Sequence, residues 1–205
     1  MNRTTLRLAT LLAAAAAVTA TVGVAPAVSA DPARDTPAAV TATVPATATT
    51  TASIKGSARM AFPAPGHDIR ITVDARSTFP SAGHTLPSES SGTFRIYHKV
   101  DPLNGERPKV YWGDFKVDCM TSGGPNATVT GTLVRTSPDH PWQKELDPNV
   151  RMGVSFYVAG KGGEPSRIGL SGARKGEQLT KCMAPAPDAA VIAGGYDLKA
   201  KGPLK

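Results

Sequence analysis

The stretch that decides the fold is TFRIYHKV, residues 93–100, in which apolar and polar side chains alternate. Successive side chains of a β-strand point to opposite faces, so this period of two predicts a half-buried strand. Phe94, Ile96 and His98 then share the buried face. The same alternation recurs over residues 53–62, 68–75 and 151–158.

Turn-forming residues separate these runs from one another and from further strands. Gly and Pro cluster at 63–66, 122–126 and 160–165, each a connection of hairpin length. Additional strands are predicted over residues 107–121, 127–135, 166–172 and 195–201, which gives about eight in all. The only predicted element that is not a strand is one helical turn near Trp142 to Leu146. The pattern predicts an antiparallel all-β domain and leaves a sandwich and a barrel both open.

The first 52 residues differ in composition from the rest. Residues 1–30 begin with Arg3 and Arg7, continue as an Ala- and Leu-rich stretch, and end in Val28-Ser29-Ala30, which predicts a signal peptide cut after Ala30. Residues 31–52 are almost entirely Ala, Thr, Pro and Val, which predicts a disordered spacer or a leftover tail. The β domain is then residues 53–205, and the protein is expected to be secreted, with no membrane association after cleavage.

The charge distribution argues against one class of function, and the cysteine content predicts a disulfide. The net charge of +7 becomes +5 once residues 1–30, which hold two arginines and no acid, are removed. The basic residues are dispersed, so nucleic-acid binding is not expected. The two cysteines, Cys119 and Cys182, predict a disulfide in an oxidising compartment, worth about 4 kcal/mol in the chain-entropy model.

The motifs of common enzymes are absent from the sequence. It contains no G-x-S-x-G, S-x-x-K, HExxH, Walker or G-x-G-x-x-G pattern, and four scattered histidines predict no metal centre and no cofactor. Asp114 and Asp118 share a strand face, but residues four apart on a strand lie about 13 Å from each other. That distance is too long for the carboxylate pair of a glycosidase.

Three side chains are the candidate ligand-binding residues. Trp112 lies on the polar side of its strand, because Tyr111, Phe115 and Cys119 form the apolar side, and an outward indole can stack on a sugar ring. Trp142 lies in a loop and either serves the same purpose or covers the open end of the core. His98 lies on an apolar face and is either a general base or ligand, or a hydrogen-bonded core residue without an identified partner. His67 and His140 lie in or beside loops and are expected to be solvated.

The middle and end of the domain carry a resemblance that extends over roughly residues 53–200. Its segments are VDC (117–119), TSGGPNATVTG (121–131), VSFY (154–157), RIGLS (167–171) and CMAPAP (182–187). They resemble a group of secreted actinobacterial proteins of the Streptomyces type, some of them automatically named repetin-like. The resemblance implies an exported β-rich domain with paired cysteines, and it transfers no catalytic residue.

The sequence therefore leads to one functional expectation with two alternatives. The main expectation is an exported, non-enzymatic β domain that associates with an extracellular partner such as cell-wall or other polysaccharide. One alternative is a carrier of a small apolar ligand in a β-barrel, with a pocket lined by Phe94, Ile96 and Phe156. The other alternative is a hydrolase with an unrecognised site near His98.

Overall fold

The computed structural model describes residues 49–200 except Ala82, residues 146–149 and residues 176–177. The predicted signal peptide, and the spacer up to residue 48, lie outside the described residues. None of the described residues lies in an α-helix, and the all-β prediction is confirmed. The elements are β1 (Thr50–Met60), β2 (His67–Phe79), β3 (Glu89–Val100), β4 (Lys109–Gly123), β5 (Asn126–Thr136), a 3-10 helix (Pro141–Glu145), β6 (Val150–Tyr157), β7 (Arg167–Leu170), β8 (Arg174–Lys175) and β9 (Ala189–Lys199).

The strands form a single sheet that closes on itself. Their order is β5-β4-β3-β2-β1-β9-β7-β6-β8, and β5 also pairs with β6. Eight strands therefore make a hydrogen-bonded ring, and the two-residue β8 pairs with β6 as a ninth strand. All neighbouring strands are antiparallel. The structure therefore resolves the two alternatives in favour of a barrel. Closure pairs the backbone groups that an open sheet would leave at its edges.

Side chains fill most of the barrel interior, as the alternating pattern requires. Phe79, Phe94, Phe115 and Phe156 are fully buried. The rings of Phe94 and Phe115 stack with centroids 4.6 Å apart. Phe94 and Phe156 thus belong to the packed core, whereas Ile96, the third residue of the pocket that the sequence suggested for an apolar-ligand carrier, lines a cavity at the end of the barrel.

Residues 179–188, here called the outer strap, cross the outside of β5, β6 and β7. The Arg151 Nη1 group donates to the Leu179 carbonyl at 2.8 Å, and the Ser155 hydroxyl donates to the Pro185 carbonyl. The strap backbone lies so close to the sheet that a Cβ at Gly153 or Gly169 would overlap its carbonyl oxygens. Small residues on the outer face of β6 and β7 therefore make room for the strap.

The predicted disulfide between Cys119 and Cys182 is present and joins the strap to β4. The prediction placed Cys119 on the same face as Phe115, and this is wrong. A register shift between Val117 and Cys119 pairs Cys119 with Thr130, whose hydroxyl accepts a hydrogen bond from the Cys182 amide at 3.1 Å. The bulge turns Cys119 to the outer face, where the strap can reach it.

The boundary between spacer and domain also differs from the prediction. β1 begins at Thr50, and Ala52 is buried, so the last three residues of the predicted spacer belong to the sheet. Cross-strand pairing with β2, from Thr50 opposite Phe79 onward, holds these small residues in place.

Across the described part of the chain, no helix is long and apolar enough to cross a membrane.

Candidate functional site

One end of the barrel contains a cavity of about 410 Å³, here called the mouth cavity. Its volume lies within the range of small-molecule sites. The strands contribute inward-facing side chains near their ends, and Trp142 and Pro141 of the 3-10 helix close part of the opening. The apolar side chains contributed by the strands are Ile69, Ile96, Tyr111, Met152 and Leu170.

A second depression adjoins the mouth cavity. It has a volume of about 700 Å³ and shares Ile69, Leu170, Ser171 and Gly172 with the mouth cavity. Gly172 has open space around the position that a Cβ would occupy. Gly172 thus lines both spaces at an exposed position where a larger side chain has room.

A histidine pair lies at the rim. The Nδ1 atom of His67 and the Nε2 atom of His98 are 2.7 Å apart, a hydrogen bond in which one nitrogen donates and the other accepts. Ile69 is opposite His98 in the β2–β3 register, so His67 is its diagonal neighbour on the same face. Phe62 packs on both rings, with centroids 5.4 and 6.2 Å away. Burial, and then the neighbouring His67, lowers the pKa of His98, so the neutral form is favoured.

A third histidine, His140, is buried in the cavity wall. The backbone N–H of Trp142 donates to its Nδ1 atom at 2.9 Å, so in the neutral ring the proton resides on Nε2. Its ring contacts the rings of Trp142 and Tyr111, with centroids 4.3 and 5.5 Å away. Burial, and then His98, lowers the pKa of His140. The cavity therefore combines apolar walls with neutral imidazoles that can donate or accept one hydrogen bond each.

The cavity lacks the groupings that catalysis commonly uses. The hydroxyl of Ser171 accepts a hydrogen bond from the backbone N–H of Gly153 at 2.9 Å and has no histidine partner among the described residues. In the same part of the chain, no three His, Cys, Asp or Glu side chains come together in a way that could hold a metal ion.

The two tryptophans occupy different places. Trp142 packs against the core, with its ring edge-on to Phe115 at 5.9 Å and over Gly113, where a Cβ would approach the indole to 3.0 Å. Trp112 lies on the outer face. The guanidinium groups of Arg95 and Arg135 lie 4.6 and 5.3 Å from the centroid of its ring. Arginine thus occupies the aromatic surface that sugar stacking would need.

The site includes residues that the sequence reasoning did not select. His140, in the cavity wall, is only 8% exposed, so the expectation that it is solvated is wrong. His67 is the first residue of β2, is half-buried and contacts His98 at the rim. His67 could have been found, because it continues the alternation of Ile69 and Ile71 back by one step. His140 carries no such signal, since a loop returns it to the barrel end.

Asp114 and Asp118, the other pair that the sequence brought forward, both form ion pairs. Arg95 and Arg135 bind Asp114, and Arg151 binds Asp118 at 2.8 Å. Asp118 also accepts a hydrogen bond from Thr130 at 2.6 Å. Both carboxylates therefore have structural partners.

No protein-family model matches the chain, and no curated protein or solved structure is similar enough to count as a match.

Proposed function

We propose that this protein is exported and that its barrel holds a small, mainly apolar molecule in the mouth cavity. The observation that carries the proposal is the cavity itself, about 410 Å³ in volume and walled by aliphatic and aromatic side chains. Ligand sites of this kind combine apolar walls with a few polar groups that orient the ligand. Here His98 and His140 supply those groups.

The polar groups indicate which molecules would fit. The two neutral imidazoles each offer a single donor or acceptor, and among the described residues no carboxylate, lysine or arginine lines the cavity. A charged ligand would lose its hydration without an ion-pair partner. The favoured ligand is therefore uncharged, with an apolar body and one carbonyl, hydroxyl or ether oxygen.

Export is supported by the signal-peptide pattern of residues 1–30 and by the disulfide, which is a bond typical of oxidising compartments. Actinobacterial origin remains an expectation from the resemblance. A carrier outside the cell needs a stable shell, and the closed ring with its tethered strap supplies one.

The two other functions have less support. Polysaccharide binding by aromatic stacking needs an open ring face, whereas Trp112 lies against two arginines and Trp142 packs into the barrel end. A hydrolase near His98 needs a nucleophile or an activated water beside the imidazole. The imidazole of His98 is hydrogen-bonded to the imidazole of His67.

The test fills the cavity with a side chain. Gly172→Phe places a ring at a position that lines both spaces. Gly160→Phe is the matched control, because Gly160 is also exposed and has no atom near its Cβ position but lines neither space. Neither glycine has a positive φ, so neither substitution strains the backbone. The probe is Nile red, an uncharged apolar dye, followed by fluorescence.

We expect saturable Nile red binding by the wild type and by Gly160→Phe, and its loss in Gly172→Phe. Long-chain alcohols should displace the dye, whereas the corresponding fatty-acid anions should compete less well. Equal binding by all three proteins, at equal thermal stability, would show that the dye binds elsewhere and would overturn the proposal.

A further inference from the structure

The outer face of β2–β5 carries two carboxylates that are each bound by two arginines. Asp68 accepts from Arg59 at 3.0 Å and from Arg70 at 2.9 Å. Asp114 accepts from Arg95 and from Arg135, the latter at 2.8 Å. Each such cluster, here called an arginine doublet, has two positive charges and one negative, so each retains one net positive charge.

The carboxylates are firmly ionised in this arrangement. A hydrogen bond from Arg70 lowers the pKa of Asp68, and a hydrogen bond from Arg95 lowers that of Asp114. Neither carboxylate takes a proton near neutral pH, so the doublets persist over the ordinary pH range. The arginine side chains remain 44–66% exposed and are therefore accessible from solvent.

Two aromatic rings hold the guanidinium groups in fixed positions. The Arg70 guanidinium lies 5.9 Å from the ring centroid of Tyr97, and those of Arg95 and Arg135 lie over Trp112. Tyr97 and Trp112 are directly opposite each other in the β3–β4 register. The rings thus connect the two doublets across the sheet.

Each of these three arginines has unused hydrogen-bonding capacity. Arg70, Arg95 and Arg135 all bind their carboxylate through Nε and Nη2. Within the described residues, their Nη1 groups have no hydrogen-bond partner. A guanidinium that is already oriented loses little rotational freedom when an oxyanion binds to its remaining N–H groups.

We propose that the arginine doublets form a binding surface for a linear polymer of phosphate groups without bases, outside the cell. The chemistry that recognises the polymer is the set of free Nη1 donors, together with the net positive charge of both doublets. The tetrahedral oxygens of a phosphate group can accept from guanidiniums that approach from different strands. Because arginine lies against both aromatic rings, a stacking base would compete with a guanidinium for the ring, so the surface favours a phosphate backbone without bases.

The spread of the arginines over several strands makes the proposal one of multivalency. Arg70 on β2 and Arg95 on β3 are diagonal neighbours in the strand register, whereas Arg135 on β5 is three strands from Arg70, about 14 Å at the usual strand spacing. A single phosphate cannot reach from Arg70 to Arg135, but a chain of phosphates can contact both doublets along their length. Long linear polyphosphate should therefore bind much more tightly than inorganic phosphate.

The test removes one arginine from each doublet. In Arg70→Gln/Arg135→Gln, Asp68 keeps Arg59 and Asp114 keeps Arg95, so both carboxylates remain paired. The matched control is Lys161→Gln/Arg167→Gln, which removes the same charge from the β6–β7 side of the ring. Binding of fluorescently labelled polyphosphate is measured by anisotropy at several salt concentrations.

For the wild type and the control we expect binding that weakens with salt. The doublet variant should bind about tenfold more weakly at low salt, and the slope of log K against log salt should fall by about 1–2. Nile red binding should be unchanged in all three proteins, so a failure here is separate from a failure of the carrier proposal. An equal loss in the control would mean nonspecific charge alone. Tighter binding of single-stranded DNA than of polyphosphate would instead indicate nucleic acid, and either result would overturn the proposal.

Discussion

Gly169→Ala should detach the outer strap from the sheet. A Cβ at this position would overlap the Ala186 carbonyl and the Ser155 hydroxyl, and would lie 2.6 Å from the Pro185 carbonyl. The backbone of the strap cannot move aside freely, because the disulfide holds its other end. Overpacking of this kind costs about 1–3 kcal/mol, and loss of the Ser155–Pro185 hydrogen bond adds about 1 kcal/mol. The free energy of unfolding should therefore fall by about 2–4 kcal/mol.

Gly172→Ala is the matched control, three residues further along the chain. Its Cβ meets nothing within 4 Å, so the substitution should be neutral or should stabilise by up to about 1 kcal/mol through the unfolded state. For a domain of this size, 1 kcal/mol shifts the melting temperature by about 2–4 °C. Urea unfolding should separate the two variants by about 2–5 kcal/mol, and thermal unfolding by roughly 4–20 °C. A difference below about 1 °C would refute the close approach of strap and sheet.

Three further predictions concern the disulfide, the barrel end and the histidines. Replacing Cys119 and Cys182 by alanine opens a 63-residue loop and should lower the free energy of unfolding by about 4 kcal/mol; an unchanged melting temperature after reduction would contradict this. Trp142→Ala should cost about 2–3 kcal/mol in urea unfolding, because a half-buried ring that covers the core is lost. The pKa values of His98 and His140 lie below the ordinary 6.5, so the unfolded chain binds more protons than the folded one. Stability should be fully present above pH 6.5 and decline as pH falls below it, and a flat urea midpoint between pH 7.5 and 5.5 would contradict the burial of both rings.

Much of the fold follows from local pattern. The alternation around Phe94 and Ile96 predicted β3, because a strand with one solvent-exposed face and one buried face needs that period whichever strands pair with it. The glycine- and proline-rich turns predicted the hairpins. Closure of the ring could not be predicted from local pattern. It depends on pairing of β5 with β6 and of β7 with β9, and these strands meet only after the sheet has curved.

The mouth cavity was less visible in the sequence than the sheet. His98 was recognised because it interrupts an apolar face. Its partner His67 continues the alternation of Ile69 and Ile71, yet it was placed with the loops. The buried His140 was placed there too, because no short-range pattern records which side chain a loop carries back into the barrel. Trp112 shows the same limit, since its outward direction was predicted but the two arginines over its ring were not.

The sequence by itself determined the strands, their inward and outward faces, and the pairing of the only two cysteines. These features depend on the backbone period and on composition, which act over a few residues. The tertiary structure alone decided the closed ring, the bulge that turns Cys119 outward, the cavity and the arginine doublets. Each of these requires side chains from strands distant in sequence to meet at fixed distances, and a one-residue shift in register moves a side chain to the opposite face.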